Sequence, residues 1–482
     1  MTPPRLNQAL LAQLSGVARP RYDRTNLGAG IVHIGVGNFH RAHQALYTDE
    51  VLNEEGGDWG IIGASLRSAT AENELAPQDA LYTVNARTAT STEHRIVGSI
   101  TRVITAATKD GYAQLLRTLA DSSIHVVTLT VTEKGYCHAA GGLDRNHPDI
   151  QHDLTSTGPR RSLPGILSAA LQARRQAGGA PISLLSCDNL AENGQVLRRV
   201  VIEYAQHSQP DLLPWIDEHV SFPSTMVDRI APATTAEDRT QLTDALGFTD
   251  EAMVCCEPFT QWVIEDWFCG PRPAWERAGA LLVDDVAPFE NAKLRLLNGP
   301  HSASAYLGVL NGYDYIHQVM EDPILSGFVR KLVDQEILPE ITAIPGFDLL
   351  TYVEQIFERF ANSGVAYATR QVATDGSLKL PQRLVPVLVQ RLAAGRSIDR
   401  LALVIAAWIN HLQDPAPDPQ AELLQRLYQS VSQPAALVEA ICEQTQIFDE
   451  LHEFRSEFQS AVVKALNSIR SIGLTAALQQ AD

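Results

Sequence analysis

The hydrophobic pattern changes character part-way along the chain. Up to about Val286, short apolar runs rich in β-branched residues alternate with longer stretches of helical period. The runs are IVHIGVG (31–37), WGIIGASL (59–66), HVVTLTVT (125–132), PISLLSC (181–187), AMVCC (252–256) and LLVDDV (281–286). Several are continuously apolar, which is the pattern of strands buried on both faces of a parallel sheet. Between them lie GILSAALQARRQA (165–177), GQVLRRVVIEYAQ (194–206) and a helical stretch from His40 to Val51. This alternation predicts a doubly wound α/β domain. EHRIVGSITRVI (93–104) alternates and reads as an antiparallel addition to it.

After Pro288 the strand signals nearly vanish. Helical patterns occupy 289–311, 327–337, 348–361, 383–395, 400–412, 419–431 and 434–447. A boundary near 285–290 therefore divides the chain into an α/β domain, 1–287, and a mostly α-helical domain, 288–482. DPAPDP (414–419) reads as a surface turn, too short for a domain linker.

Composition agrees with this and removes some functions. A length of 482 residues suits two or three domains. Hydrophobic residues at 45% and charged residues at 20% describe a globular chain, not a disordered one. The net charge of −18 argues against binding nucleic acid or anionic membranes. It leaves room for a small anionic substrate, because one local cation can oppose the field. The six cysteines (137, 187, 255, 256, 269 and 442) form no Cys-x-x-Cys pair, and Cys255-Cys256 on an apolar run reads as buried thiols. The N-terminus lacks a signal-peptide core, and no apolar run reaches about 18 residues. A soluble cytoplasmic protein is expected.

The first candidate chemistry lies at Gly35-Val36-Gly37, between the first strand and a helical stretch. Glycines there permit a tight turn and close backbone approach, and the following helix start offers unpaired amides to a pyrophosphate. Gly35, Gly37, Asn38 and Phe39 are therefore candidate dinucleotide contacts, although His40 stands where a third glycine is usual. The second strand ends in Arg67-Ser68-Ala69-Thr70, without the acid that normally meets the adenosine ribose. Arg67 can stack on adenine, meet a 2′-phosphate or simply face solvent. Local chemistry leaves NAD and NADP both open.

The second lies in PFENAKLRLLNGPHSASAYLGVL (288–310). At about 100° per residue, His301 falls about 80° from Lys293 and about 60° from Asn298 on a uniform helix. One helix can thus turn a base, an amide donor and an imidazole toward a common cleft, with Pro300 as a local disturbance. Alcohol oxidation by hydride transfer needs such a base and such a donor. Spacing alone favours the plainer reading of a surface lysine, an asparagine at a helix break and a capping histidine. Asp188-Asn189 follows a strand end, where Asn189 can donate to an oxyanion or cap a helix. Asp228-Arg229 is either an ion pair or a substrate contact. His40 and His43 lack the partners of a metal site, and none is expected.

These segments together resemble the long-chain mannitol dehydrogenase family of polyol and sugar-acid dehydrogenases. The matching stretches are 31–52, TVTEKGYC (130–137), SCDNLAENG (186–194), FPSTMVDRIAP (222–232), CEPFTQWVIED (256–266), KLRLLNGPHS (293–302) and DGSLKLPQRL (375–384). The resemblance implies a Rossmann-like first domain, a helical second domain, NAD or NADP as cofactor, no metal and a monomer. It implies that Lys293 is the general base, that Asn189 and Asn298 polarise the reacting oxygen and that His301 positions the substrate. Glu133 and Glu290 would line the route of the proton to solvent. Gln371 stands where mannitol dehydrogenases carry a substrate-facing arginine, with Arg370 beside it. This, KGYC (134–137) and KLPQRL (379–384) resemble the fructuronate reductase branch, which reduces D-fructuronate to D-mannonate with NADH. Arg370, Lys379 or Arg383 would then meet a carboxylate, and Asp228 stays a candidate substrate contact. The alternatives are a mannitol 2-dehydrogenase, or a non-catalytic dinucleotide- or sugar-binding protein on the same fold.

Overall fold

The computed structural model describes residues 3–139 and 142–481. It divides into two compact units, Met1–Ala287 and Pro288–Asp482. In the first unit, six strands form one wholly parallel sheet. They are β1 (Ala29–Ile34), β2 (Gly60–Ser65), β3 (Ile100–Thr105), β4 (Val126–Leu129), β5 (Ile182–Ser186) and β6 (Val220–Ser221). Their order across the sheet is 3-2-1-4-5-6. Chain order reverses between β1 and β4, and ligands of doubly wound sheets bind in the crevice at that reversal.

The continuous apolar runs have a direct cause. Successive side chains of a strand point to opposite faces, and both faces here are covered. Val32 and Ile34 join a core with the helices Lys109–Ala120, Leu163–Gln176 and Asn193–Ser208. Ile31 joins a second core with Ala45, Tyr47, Val51 and Trp262. Each such aliphatic side chain contributes about 1.5–3 kcal/mol when fully buried.

Three expectations are corrected. Val254–Cys256 and Leu281–Val283 do not extend the main sheet. The first pairs with Tyr82–Arg87 in one three-stranded sheet, the second with Gln261–Glu265 in another. The alternating segment 93–104 is two strands. Thr92–Val97 is antiparallel to Tyr82–Arg87, whereas Ile100–Thr105 is β3 of the parallel sheet. The break falls where the Gly98 amide donates to Asp49 Oδ1 (2.9 Å) and the Ser99 hydroxyl donates to the Ala45 carbonyl (2.6 Å). The helix expected from His40 is two helices, Asn38–Ala42 and Gln44–Glu54, broken at His43 (φ −127°, ψ −91°). The cysteines behave as expected: all six are free thiols, and burial pushes Cys255 up to about 12 and Cys256 up to about 11.

Among the described residues of the second unit, every element of two residues or more is a helix. Gly299–Asn311 and Asp399–His411 pack on each other, and Arg455–Ile472 packs on the latter. Leu401 to Ile409 are all buried, which explains a segment apolar on every side. Arg455–Ile472 was not among the expected helices, although Phe458, Val462, Ala465, Leu466 and Ile469 form its buried stripe. Among the described residues, no helix is long and apolar enough to cross a membrane.

Candidate functional site

In the first unit, the site is the crevice beyond β1 and β4. Gly35 leaves β1 with φ +103°, and a Cβ there would lie 2.0 Å from the Thr130 carbonyl oxygen. Only glycine accepts both conditions. The Thr130 hydroxyl donates to the Gly35 carbonyl (2.7 Å), and the His33 ring bridges the hydroxyls of Thr128 (2.7 Å) and Thr130 (2.9 Å). Burial pushes His33 down to about 3, so this ring is neutral near pH 7. The glycine turn is therefore strapped to the chain leaving β4.

That second loop has its own clamp. Asp188, just past β5, accepts the amides of Val131 (3.0 Å) and Thr132 (2.8 Å) and the Tyr136 hydroxyl (2.7 Å). Burial raises its carboxyl, and these donors oppose the rise. They hold Thr132 at φ +67°, an uncommon conformation for a β-branched residue. Nothing in the local sequence marks this role of Asp188, because its partners lie more than fifty residues away.

A cavity of about 790 Å³ opens between the two loops, lined among others by Gly35, Val36, Gly37, Arg67, Thr132 and Lys134. Its position at the sheet reversal, its glycine turn and its cationic rim fit a dinucleotide. Asn38 and Phe39 do not line it with their side chains. The Asn38 amide donates to the Pro232 carbonyl (3.1 Å) and its oxygen accepts from Arg41 (2.9 Å), while Phe39 stacks on His43. Both side chains are half-buried. Arg67 is on the rim, 3.1 Å from Asp149 Oδ2.

Asn189 is exposed in the bend after β5. It does not cap the next helix, which begins at Asn193 behind Glu192. Asn193 instead ties this corner together, bonding the carbonyls of Asp188 (3.0 Å) and Thr225 (2.8 Å). Glu133 opens the short turn Glu133–Tyr136 with an exposed carboxylate 3.7 Å from the His138 ring. Asp228 is buried at the end of Thr225–Asp228. Arg229 spends its donors on the carbonyls of Glu257 (2.8 and 3.0 Å) and Ala42 (2.8 Å). It thereby caps the short helix that Gly37 opens.

In the second unit, Lys293, Asn298 and His301 lie on one continuous helical rod that is not uniform. Ala287–Ala292 is α-helical, Lys293–Asn298 is a π turn and Gly299–Asn311 is α-helical again. The Gly299 amide reaches back five residues to the Leu294 carbonyl. Pro300 then falls in the first turn of the second helix, where its missing amide is tolerated. Uniform 100° steps therefore do not describe the relation of Lys293 to His301. Such π turns are frequent at functional sites. Lys293 is 8% exposed. The His301 ring stacks on Phe360 (5.0 Å) and meets the edge of Tyr367 (5.4 Å). Glu290 precedes Lys293 by three residues, on the same face of the rod.

All three candidate carboxylate ligands, Arg370, Lys379 and Arg383, have partners within the protein. Arg370 is exposed and paired with Asp414 (2.9 Å), and Gln371 beside it is exposed. Arg383 ends the helix Gly376–Arg383 and donates from Nη1 to the Asn298 carbonyl (3.3 Å) and the Ser302 hydroxyl (2.9 Å). Burial brings its guanidinium down to about 10. Arg383 thus braces the π turn where it rejoins the α-helix. Lys379, one turn earlier, donates to the Val372 carbonyl and the Thr374 hydroxyl (both 3.2 Å), and burial brings it down to about 8.

The bracing is testable. Arg383→Lys keeps the charge and loses the planar guanidinium whose Nη1 reaches both acceptors. A hydrogen bond from a charged donor contributes about 1.5–3 kcal/mol. Turnover is expected to fall about tenfold or more, with the dinucleotide affinity of the first unit unchanged. Wild-type kcat in this variant would remove the bracing role. Among the described residues, no group of three or more His, Cys, Asp or Glu side chains is arranged to hold a metal ion.

Comparison with known proteins places these features in context. The model of the mannitol dehydrogenase Rossmann domain matches residues 29–277, and that of the mannitol dehydrogenase C-terminal domain matches 285–470. D-mannonate oxidoreductase of Escherichia coli is 44% identical over 82% of each chain. The uncharacterized oxidoreductase YeiQ of Escherichia coli is 41% identical over 96% of each chain. The solved ternary complex of Pseudomonas fluorescens mannitol 2-dehydrogenase with NAD and D-mannitol has a TM-score of 0.84, with 40% identity over 99% of each chain.

Proposed function

The chain belongs to the mannitol dehydrogenase family of oxidoreductases, and from that premise we propose that it reduces D-fructuronate to D-mannonate with NADH. The observation that carries the reading is Lys293, buried at a π turn whose end holds Asn298. When bound, NADH supplies the hydride that the substrate carbonyl receives. Gly35 and Gly37 admit the pyrophosphate, and Arg67 lies toward the adenosine.

In the reducing direction Lys293 donates the proton that completes the new hydroxyl, and in oxidation it removes one. Burial of a lysine is what lets it exchange a proton near neutral pH. The Asn298 and Asn189 amides donate to the reacting oxygen as charge develops on it. Phe360 and Tyr367 fix the His301 ring, which positions the substrate. Glu290 passes the proton between Lys293 and solvent, with Glu133 on the same route. Lys379 receives the substrate carboxylate, and Asp228 a hydroxyl. The scheme assigns no step to a metal. The reading also holds that the enzyme is a cytoplasmic monomer, and a single-chain mass in size-exclusion chromatography checks the second part.

The substrate is supported by the 44% identity to a D-mannonate oxidoreductase. The full-length match to a mannitol 2-dehydrogenase favours a second reading, interconversion of D-mannitol and D-fructose. NADH oxidation with D-fructuronate, D-tagaturonate, D-fructose and xylulose separates them. D-fructuronate is expected to give the highest kcat/KM. D-fructose far above it establishes the second reading, and no turnover with any of them, with NADH or NADPH, favours a binding protein.

Lys379 adds a pH signature. With its pKa brought down to about 8, its ammonium is present below that pH and lost above it. The KM for D-fructuronate is expected to rise above pH 8, while that for neutral D-fructose stays flat. A parallel rise for both sugars would remove Lys379 from carboxylate binding.

A further inference from the structure

A second cavity of about 460 Å³ adjoins the first and shares with it Leu66, Arg67, Asp149 and Arg161. It lies beyond the carboxyl ends of β2 and β3, on the side of the sheet reversal where the adenosine of a dinucleotide is placed. Its chemistry is unusual for a chain with a net charge of −18. Four cations, Arg67, Lys109, Arg160 and Arg161, face one carboxylate, Asp149.

The cations are not equally committed. Arg160 donates from Nη1 to the Ser156 carbonyl (2.7 Å) and to that of Asp153, so its charge is fixed in place. Arg67 is 75% exposed on its side chain and meets Asp149 at 3.1 Å. An exposed pair of this kind contributes little and is easily exchanged. At the end of β2, an acid would accept the ribose 2′-hydroxyl and repel a phosphate placed there. This chain has Leu66, Arg67 and Ser68 instead. A compact cavity of net positive charge, without that acid and with an arginine on a labile tether, is suited to a phosphate dianion.

We propose that this cavity seats the 2′-phosphate of NADP(H), so that the protein accepts both dinucleotides. The inference rests on the first cavity being the dinucleotide site. Arg67 turns from Asp149 to the phosphate when NADP(H) is bound and back to Asp149 when NAD(H) is bound. Asp149 then serves as the ribose acceptor that β2 does not supply.

Calorimetric titration of the whole protein with NAD+ and NADP+ tests this without turnover. Wild-type dissociation constants are expected to lie within about tenfold of each other, with the NADP+ constant rising more steeply with salt. Arg67→Ala is expected to raise the ratio of the NADP+ to the NAD+ constant by about tenfold or more. Asp149→Asn is expected to lower it, because a competing and repelling carboxylate is gone. A wild-type ratio above about one hundred, or an unchanged ratio in both variants, overturns the proposal and leaves the dinucleotide site standing. Failure of both dinucleotides to bind overturns the site itself.

Discussion

Replacing Lys293 by methionine is expected to lower kcat by about a thousandfold, because a positioned acid–base group contributes about 10²–10⁴. Methionine keeps the unbranched stem in a position that is 8% exposed, so the helix and its neighbours remain packed. The loss is expected in turnover alone. Dinucleotide affinity should stay, and so should the denaturation midpoint. Two further readouts separate a missing proton carrier from a disturbed helix. The limb of the kcat–pH profile due to the base should vanish, and added small primary amines should restore part of the rate. Asn298→Ala should cost about 10²–10³ in kcat, with the pH limb intact. A Lys293→Met enzyme that keeps a tenth or more of wild-type kcat would remove this residue from the chemistry.

Lys293, Asn298 and His301 were visible as residue types, but their geometry was not. The pattern 289–311 has one helical period, and nothing in it announces a π turn except Gly299-Pro300. The backbone bonds that decide it leave no mark on hydrophobicity. The parallel strands were legible because burial on both faces writes a continuous apolar run. Their partners were not: Val254–Cys256 carries the same signal as β4 yet lies in another sheet. Asp188 and Arg383 show the same limit at the level of the site. Each is an ordinary charged residue in sequence, and its role comes from amides, hydroxyls or carbonyls that folding brings to it. The helix Arg455–Ile472 is a different case, since its buried positions follow helical spacing and were there to be read.

The glycine turn offers a paired prediction in which two similar substitutions fail for opposite reasons. Gly35→Ala places a methyl group 2.0 Å from the Thr130 carbonyl oxygen and forces alanine to φ +103°. The carbonyl cannot retreat cheaply, because the Thr130 amide is bonded to Ile34 (2.9 Å) and its hydroxyl to Gly35 (2.7 Å). Backbone strain of this kind costs about 1–3 kcal/mol, and overpacking adds about 1–3 kcal/mol. Gly35→Ala is therefore expected to lose about 3 kcal/mol or more in denaturant unfolding, or to be insoluble. A fully stable Gly35→Ala would mean that β1 and the chain leaving β4 do not meet so closely at this turn. Gly37 is the contrasting position. Its φ is −99°, and the nearest atom to a Cβ there is the Gly35 oxygen at 3.9 Å. Alanine fits the fold and restricts the unfolded chain slightly, so stability should hold within about 1 kcal/mol. Gly37 lines the cavity, however, and a methyl group there occupies the approach of the pyrophosphate. NAD+ affinity is expected to fall tenfold or more at unchanged stability. Wild-type NAD+ affinity in Gly37→Ala would end the reading of this turn as a phosphate cradle.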